Sequence, residues 1–374
     1  MAFGKKNVIK IDPLSYNLGL IGEGGIGKTT VIKEFCEKLA GPDGYLFAEC
    51  GKEDGADAIS GINYINCPDW NGEYDELNNA VGFQLLIDDI LENKSTDYPN
   101  LRVLVVDTYD QLRQIVEPEV IRLHNKENPE KRVKSIKAAF GGFMGGEDKA
   151  DDIILDRLWE LKKVGVHFII IGHVKQREVT DSATGDQYTQ VTTDMSMRSF
   201  NKIKTKLHFL GVASVNREIV KEKKNSKNIA TIKSETRRIT FRDDNYALDS
   251  KSRFADIIDE IPLDADALIK ALSDAIEAEA KKGSKSIDEL KKEQAEIAKK
   301  VEERAEKYSA TKKESKVDED KNSELISIIQ SKFSSASADT KANIKQIMAN
   351  NGFSKFSDEN IPTAALEEIV ALLK

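Results

Sequence analysis

Short apolar runs alternate with helical patterns along the first two thirds of the chain. YNLGLIG, GYLFAE, RVLVVD, VHFIIIG and KLHFLGVAS are rich in β-branched and aromatic residues and read as buried strands. Between them, TTVIKEFCEKLAG puts Val31, Ile32, Phe35 and Leu39 on one helical face. IILDRLWELKK does the same with Ile154, Leu155, Leu158 and Trp159. Strands separated by amphipathic helices predict a parallel sheet with crossover helices, an α/β core over residues 1 to about 262. After Ser214 the pattern changes. NREIVKEKK, NIATIKSE and RRITFRDD predict antiparallel strands at one edge of that sheet.

The composition shifts near Asp264. From there to Asn322 the chain is rich in Ala, Glu and Lys and poor in aromatics, which predicts one or two exposed helices and then a flexible, charged linker. A self-associating coiled coil is the alternative to this solvated spacer, but the heptads are too broken to favour it. Residues 323–374 regain a core pattern. SELISIIQSKF, TKANIKQIMANNGF and PTAALEEIVALLK predict three amphipathic helices, with Gly352 suited to a helix stop and Pro362 to a first turn. The expected organisation is therefore a core (1–262), a charged helical linker (263–322) and a small helical module (323–374). The module is suited to docking on a protein partner or on DNA.

Charge narrows the partners. The formal net charge over 374 residues is −8, so any site for a polyanion must be a local basic patch. Cys36, Cys50 and Cys67 form no C-x-x-C pair and predict neither a zinc site nor a disulfide framework. MAFGKKNVIKIDP lacks the apolar segment of a signal peptide, and no run approaches the ~18–20 apolar residues of a membrane span. A soluble, cytoplasmic protein with no membrane partner is expected.

The chemistry is concentrated in GEGGIGKTT, residues 22–30, directly behind the strand LGLI. Gly22, Gly27, Lys28 and Thr29 satisfy G-x-x-x-x-G-K-[ST] in its required context, a strand before and an amphipathic helix after. Glycines let the amides of Glu23, Gly24, Gly25, Ile26, Gly27, Lys28, Thr29 and Thr30 curl around phosphates. The helix N-terminus adds partial positive charge. Lys28 would reach the β- and γ-phosphates, and Thr29 would ligate Mg²⁺. In RVLVVDTYDQL the apolar run delivers Asp107 to the carboxyl end of a strand, where it would hold Mg²⁺ directly or through water. Hydrolysis also needs a group to activate water. Thr108, not a glutamate, follows Asp107, so the base must come from elsewhere. FAECGKEDGADA offers Glu53, just beyond a strand end, with Glu49 as the alternative. His173 ends VHFIIIG and could touch the γ-phosphate, or it could be an ordinary structural histidine. The polar segment after it, KQREVTDSATGDQYTQVTTDMSMRS, reads as a long mobile loop.

Two further segments could meet nucleic acid. Lys131, Arg132, Lys134 and Lys137 precede Phe140 and Phe143 among glycines; Lys175 and Arg177 open the second segment, which contains Tyr188. Basic groups would pair with phosphates and aromatics stack on unpaired bases, with little sequence preference. A solvated helix face and a glycine-rich connector account for the first segment equally well.

GEGGIGKTT, KEDGADAISG, VLVVDTYDQL, FIIIGHVKQRE and RRITFRDDNYAL stand in the order found in RecA-type ATPases. More narrowly, residues 10–260 resemble the phage-encoded RecA-like ATPases of the single-strand annealing Sak group and their AAA-labelled relatives. The resemblance implies a RecA-like P-loop core and ATP rather than GTP, bound with Mg²⁺ between the subunits of a homo-oligomer. It implies Lys28, Thr29 and Asp107 as phosphate and magnesium residues, Glu53 or Glu49 as catalytic glutamate, and His173 in place of a usual glutamine. It also implies DNA-binding loops at 131–149 and 174–197. Lys233, Arg237 and Arg238 become candidates for a finger reaching a neighbour's γ-phosphate; an ordinary charged edge strand accounts for them at least as well. The function implied is a single-stranded-DNA-binding ATPase of phage recombination, annealing or replication. An ATP-driven switch or loader acting on a protein partner, such as a replication or recombination protein held by the C-terminal helices, is the first alternative; a helicase or packaging motor is the second.

Overall fold

Leu18–Gly22 (β1) and Val103–Asp107 (β4) are buried at every residue, as continuous apolar runs in a sheet covered on both faces must be. The computed structural model describes residues 7–181, 184–224, 227–243, 247–283, 285–333, 336–350, 354–356, 361 and 363–373. Along the described chain, β1 is followed by α1 (Lys28–Ala40), β2 (Tyr45–Cys50), β3 (Tyr64–Cys67), α2 (Phe83–Asn93) and β4. Then come α3 (Tyr109–Ile115), α4 (Glu117–Glu127), α5 (Gly145–Lys163), β5 (His167–Thr180), β6 (Gln187–Thr193) and α6 (Met197–Lys204). The first unit ends with β7 (Phe209–Lys224), β8 (Lys227–Thr240), β9 (Lys251–Ser252), β10 (Glu260–Pro262) and α7 (Ala265–Ala280), and α8 (Ile287–Phe333) begins in it. The α/β class expected from the alternating pattern is what forms.

The sheet runs β10-β8-β7-β1-β5-β4-β2-β3. From β7 to β3 all neighbours are parallel; β8, β9 and β10 add antiparallel pairings at the other edge. Side chains alternate between the two faces. Leu18, Leu20, Val103, Val105, Ile169 and Ile171 share one core with Val31, Ile32 and Phe35 of α1. Leu104, Val106, Phe168 and Ile170 face the other way and are equally buried. There α5 covers them, with Trp159 5.4 Å from Phe168, ring to ring.

Three expectations for the core change. The edge segments expected as three strands are two: NREIVKEKK continues β7, and NIATIKSE with RRIT forms β8. The segment after His173 is not a long loop. β5 runs on to Thr180 and turns back through β6, antiparallel from Val174↔Thr193 to Thr180↔Gln187. Nor does the core end at 262. Leu268, Ala271, Leu272, Ala275 and Ile276 of α7 are buried in the same core as α1 and β1.

The chain divides into compact units at residues 1–305 and 306–374. The charged run expected as a flexible linker is continuous helix, part of the 47-residue α8. In the second unit the end of α8 packs with α9 (Ala338–Asn350) and α10 (Thr363–Leu372). Ile329, Ile344, Met348, Ile361, Leu366 and Ile369 form its core. Lys321 pairs with Glu367 at 2.6 Å. No helix among the described residues is long and apolar enough to cross a membrane.

Candidate active site

The parallel register brings the candidate residues to one sheet edge. Gly22 lies opposite His173, and Glu49 opposite Asp107. Gly22, Glu49 and Asp107 stand at strand carboxyl ends, where open α/β sheets bind ligands, and His173 stands where β5 leaves the parallel sheet for its hairpin with β6.

Between β1 and α1 the chain makes a tight loop. Gly27 has a φ of 107°, a backbone that side chains oppose. Gly22 is needed for room: a Cβ there would sit 2.8 Å from Cβ and 2.9 Å from the carbonyl oxygen of Ala213. Gly24 and Gly25 face open space, with nothing within 4 Å of an added Cβ. Lys28 is buried, and its Nζ donates to the carbonyls of Gly22 at 3.0 Å and Glu23 at 2.9 Å. Burial lowers its pKa, opposed by the charges of Asp107, Asp110 and Glu53. The ammonium is thus curled onto its own loop, beside glycines open to a ligand. An anion in the loop would give it a charged partner in place of two carbonyls.

The Thr29 hydroxyl donates to Asp107 Oδ2 at 2.7 Å. Burial raises the Asp107 carboxyl to about 6, against the Thr29 hydrogen bond. A hydroxyl and a carboxylate side by side are the donor types that suit a magnesium ion completing its shell with phosphate oxygens and water. These residues fit a Mg²⁺-nucleotide.

The two glutamates differ. Glu53 Oε1 lies 3.4 Å from Thr108 Oγ1 and 3.9 Å from His173 Nδ1. Glu49 is buried; its Oε1 accepts from the Ala56 amide at 2.6 Å, and its Oε2 has no hydrogen-bond partner among the described residues. Burial pushes the Glu49 carboxyl up to about 7. In the unfolded chain it would titrate near 4.5. The folded state therefore binds this proton more tightly. Its contribution to stability is full below pH 4.5 and is lost as pH rises through about 7. Glu49→Gln should remove that part of the fall in stability, so that the difference between variant and wild type changes across this window. Denaturant unfolding at several pH values measures it; an unchanged difference would show that Glu49 titrates normally.

Asp110 completes the site and was not among the residues singled out by motif. From the first turn of α3 it accepts the His173 backbone N–H at 3.1 Å and contacts His173 Nδ1 at 3.0 Å. Burial would raise its pKa, but the bonds and charge of His173 prevail and hold it low. The His173 pKa is raised chiefly by the Asp110 hydrogen bond. The only cue in the sequence is a second aspartate three positions after Asp107.

A model of the AAA domain family matches residues 15–254, well over half of the chain. The chain belongs to the AAA domain family. No curated protein matches it. Among solved structures it is similar to a KaiC-like protein of the hyperthermophilic archaeon Pyrococcus horikoshii OT3, at 13% identity over 63% of this chain and 93% of that one, with a TM-score of 0.28. This AAA domain, with its P-loop between β1 and α1 and β5 between β1 and β4, is a P-loop ATPase.

The remaining candidates fall on three other parts of the AAA domain. Lys131, Arg132, Lys134 and Lys137 are exposed on the segment between α4 and α5. Phe140 there is half-buried; its amide donates to His124 Nδ1 at 3.0 Å and its ring packs 5.2 Å from that imidazole. Phe143 is fully exposed. Lys175 is exposed on the β5–β6 hairpin. Arg177 is instead engaged with the carbonyls of Thr193, Asp194 and Met195, and Tyr188 is half-buried, cross-strand from Val179. The finger candidates separate. Arg238 pairs with Glu260, Lys233 lies further out on β8, and Arg237, expected to reach another subunit, donates to Ile26 of its own P-loop at 3.0 Å.

Proposed function

We propose that the chain is a Mg²⁺-dependent, DNA-stimulated ATPase that binds single-stranded DNA as a homo-oligomer and serves phage recombination, annealing or replication. The observation that carries the ATPase half is the contact of Thr29 with Asp107 beside the Lys28 loop. Lys28 holds the phosphates, and Thr29 and Asp107 the metal, which supplies charge neutralisation on the phosphate oxygens. Glu53 orients the attacking water, because it borders Thr108 and His173 while Glu49 is turned to Ala56. Asp110 fixes His173 as the group that registers the γ-phosphate.

The DNA half rests on the segment before α5. Phe140, Phe143 and Met144 have positive φ values of 50°, 44° and 77°, and Gly141 and Gly142 between them have 87° and 68°. Non-glycine residues in this region are strained, and such strain gathers at ligand-binding segments. It presents the Phe143 ring to solvent close in sequence to four exposed basic residues, the combination that holds unpaired bases and their backbone.

ATP hydrolysis measured with and without single-stranded DNA, at two salt concentrations, tests this reading. Stimulation should weaken at high salt, and Phe143→Ala should reduce it about fivefold or more at sub-saturating DNA, the loss expected for one stacked base, with DNA-free turnover unchanged. Turnover indifferent to DNA would overturn the DNA half. It would point to the loader reading, which the separate apolar core of residues 306–374 favours.

A further inference from the structure

β8 sends successive side chains to opposite faces. Arg238 turns to Glu260 on the neighbouring β10. Arg237 points the other way, where its Nη1 meets the Ile26 carbonyl at 3.0 Å and lies 3.9 Å from the position a Cβ would take on Gly27. Its backbone carbonyl accepts from Leu263 N–H at 3.0 Å, and Leu263 Cδ2 lies 3.7 Å from that same Gly27 position. The junction before α7 and the guanidinium thus converge on the last turn of the P-loop. Glu235, two residues back on the same face of the strand, lies 3.7 Å from Arg237 Nε and 3.3 Å from Arg217 Nε, so it is shared between two cations. The Arg237 side chain remains half-exposed.

We infer that Arg237 is a positioning residue acting in cis: it anchors Ile26 so that the amides of Gly27, Lys28 and Thr29 face the triphosphate of its own subunit. This rests on the reading that the P-loop takes ATP. The anchor is chemically apt. Ile26 is buried in the core and Gly27 has a φ of 107°, so the loop reverses sharply at this carbonyl. A guanidinium has five N–H donors in a fixed fork and can hold the carbonyl without exhausting them. A cation there also adds favourable potential for a bound polyanion.

Two actions of Arg237 leave different kinetic traces. An anchor of the empty loop acts on ATP affinity. A finger reaching a neighbour's γ-phosphate acts on turnover and leaves affinity nearly intact. The test measures the Kd of ATP by titration, and kcat and KM, for wild type, Lys28→Ala, Arg237→Ala and Arg237→Lys. Arg237→Ala should weaken ATP about tenfold or more, the scale of one charge-assisted hydrogen bond, with kcat at saturation within about threefold of wild type. Arg237→Lys, which can still donate to a carbonyl, should recover most of the affinity. Mixing Arg237→Ala with Lys28→Ala, which retains its own Arg237, should give no more activity than the two measured apart.

A large loss of kcat at unchanged Kd, with activity restored on mixing, would overturn the inference in favour of a trans finger. An Arg237→Ala protein indistinguishable from wild type would overturn it too, while hydrolysis lost in Lys28→Ala would leave the ATPase reading standing. A wild type that binds ATP without hydrolysing it fails the ATPase reading alone, and the Kd comparison still decides on Arg237. A wild type that binds no ATP overturns both. Should Arg237→Ala fail to fold, Arg237→Gln takes its place in the same measurements.

Discussion

Lys28→Ala should abolish ATP hydrolysis, with kcat/KM falling about a thousandfold or more, the range seen when a preorganised charge on a reacting phosphate is removed. Lys28 is a buried ammonium held by carbonyls of its own loop, with no carboxylate bonded to it among the described residues. Holding such a charge in the folded protein costs stability, which is why burial lowers its pKa. A residue kept at that cost makes sense where a bound anion compensates it. Alanine gives up two carbonyl contacts, the one to Gly22 buried and the one to Glu23 part-buried, but also relieves the burial of an ammonium, so the fold should survive. Circular dichroism and a thermal melt close to wild type, alongside lost turnover, complete the expected result. Turnover persisting in Lys28→Ala would mean that the hydrolysis measured does not come from this loop.

The legibility of this site in the sequence follows the range of the interactions that build it. The P-loop is contiguous. Its glycines, lysine and threonine are next to one another in the chain, so their spacing alone carries the chemistry. Asp107 was legible because a buried apolar run ending in a carboxylate sets that charge at the mouth of the sheet, where a cation can offset the cost of burying it. Asp110 was not. It reads as an ordinary acidic residue in a helix first turn, and its role comes from β5 lying beside β4 and carrying His173 alongside. That pairing spans 63 positions. Arg237 was legible as a basic residue on an edge strand, but which face it takes depends on the register of β8 with β7 and β10. An analogy to a neighbour's finger therefore pointed it away from the loop it touches.

Composition misled in the same way for α7. Its alanines and acids read as solvated helix, while Leu268, Leu272 and Ile276 at steps of four mark a buried stripe. Alanine is small enough to pack against α1 without registering as a strong apolar signal. The segment after His173 failed for a related reason. Its strands alternate polar threonines and glutamines with few apolar residues, and only the continuous pairing from Val174 to Thr180 reveals a hairpin. Contiguous motifs were readable; what depended on which element packs alongside, near in the chain as in this hairpin or distant as for Asp110, was not.

Glu53→Gln should keep ATP bound and slow its hydrolysis about 10²- to 10⁴-fold, the contribution of a positioned general base. Glutamine preserves the size and one oxygen of the side chain but cannot take a proton, so the loss should fall on kcat with KM within about threefold. Glu49→Gln is the matched control. The Glu49 carboxyl holds the Ala56 amide from a buried position and stands beside Asp107 in the sheet. Its burial favours the protonated form around neutrality, which is the wrong state for a base. Its replacement should cost less than about tenfold in kcat and act mainly on stability, since a buried backbone bond is disturbed rather than the reacting water. The comparison is decisive because the two residues sit on one segment, four positions apart. Single-turnover hydrolysis under saturating ATP separates the chemical step from product release. A large loss in Glu49→Gln with a small one in Glu53→Gln would exchange their roles. It would require Glu49 to be ionised when the site is occupied, as a nearby cation would favour. Equal large losses would mean that the water is held by both carboxylates.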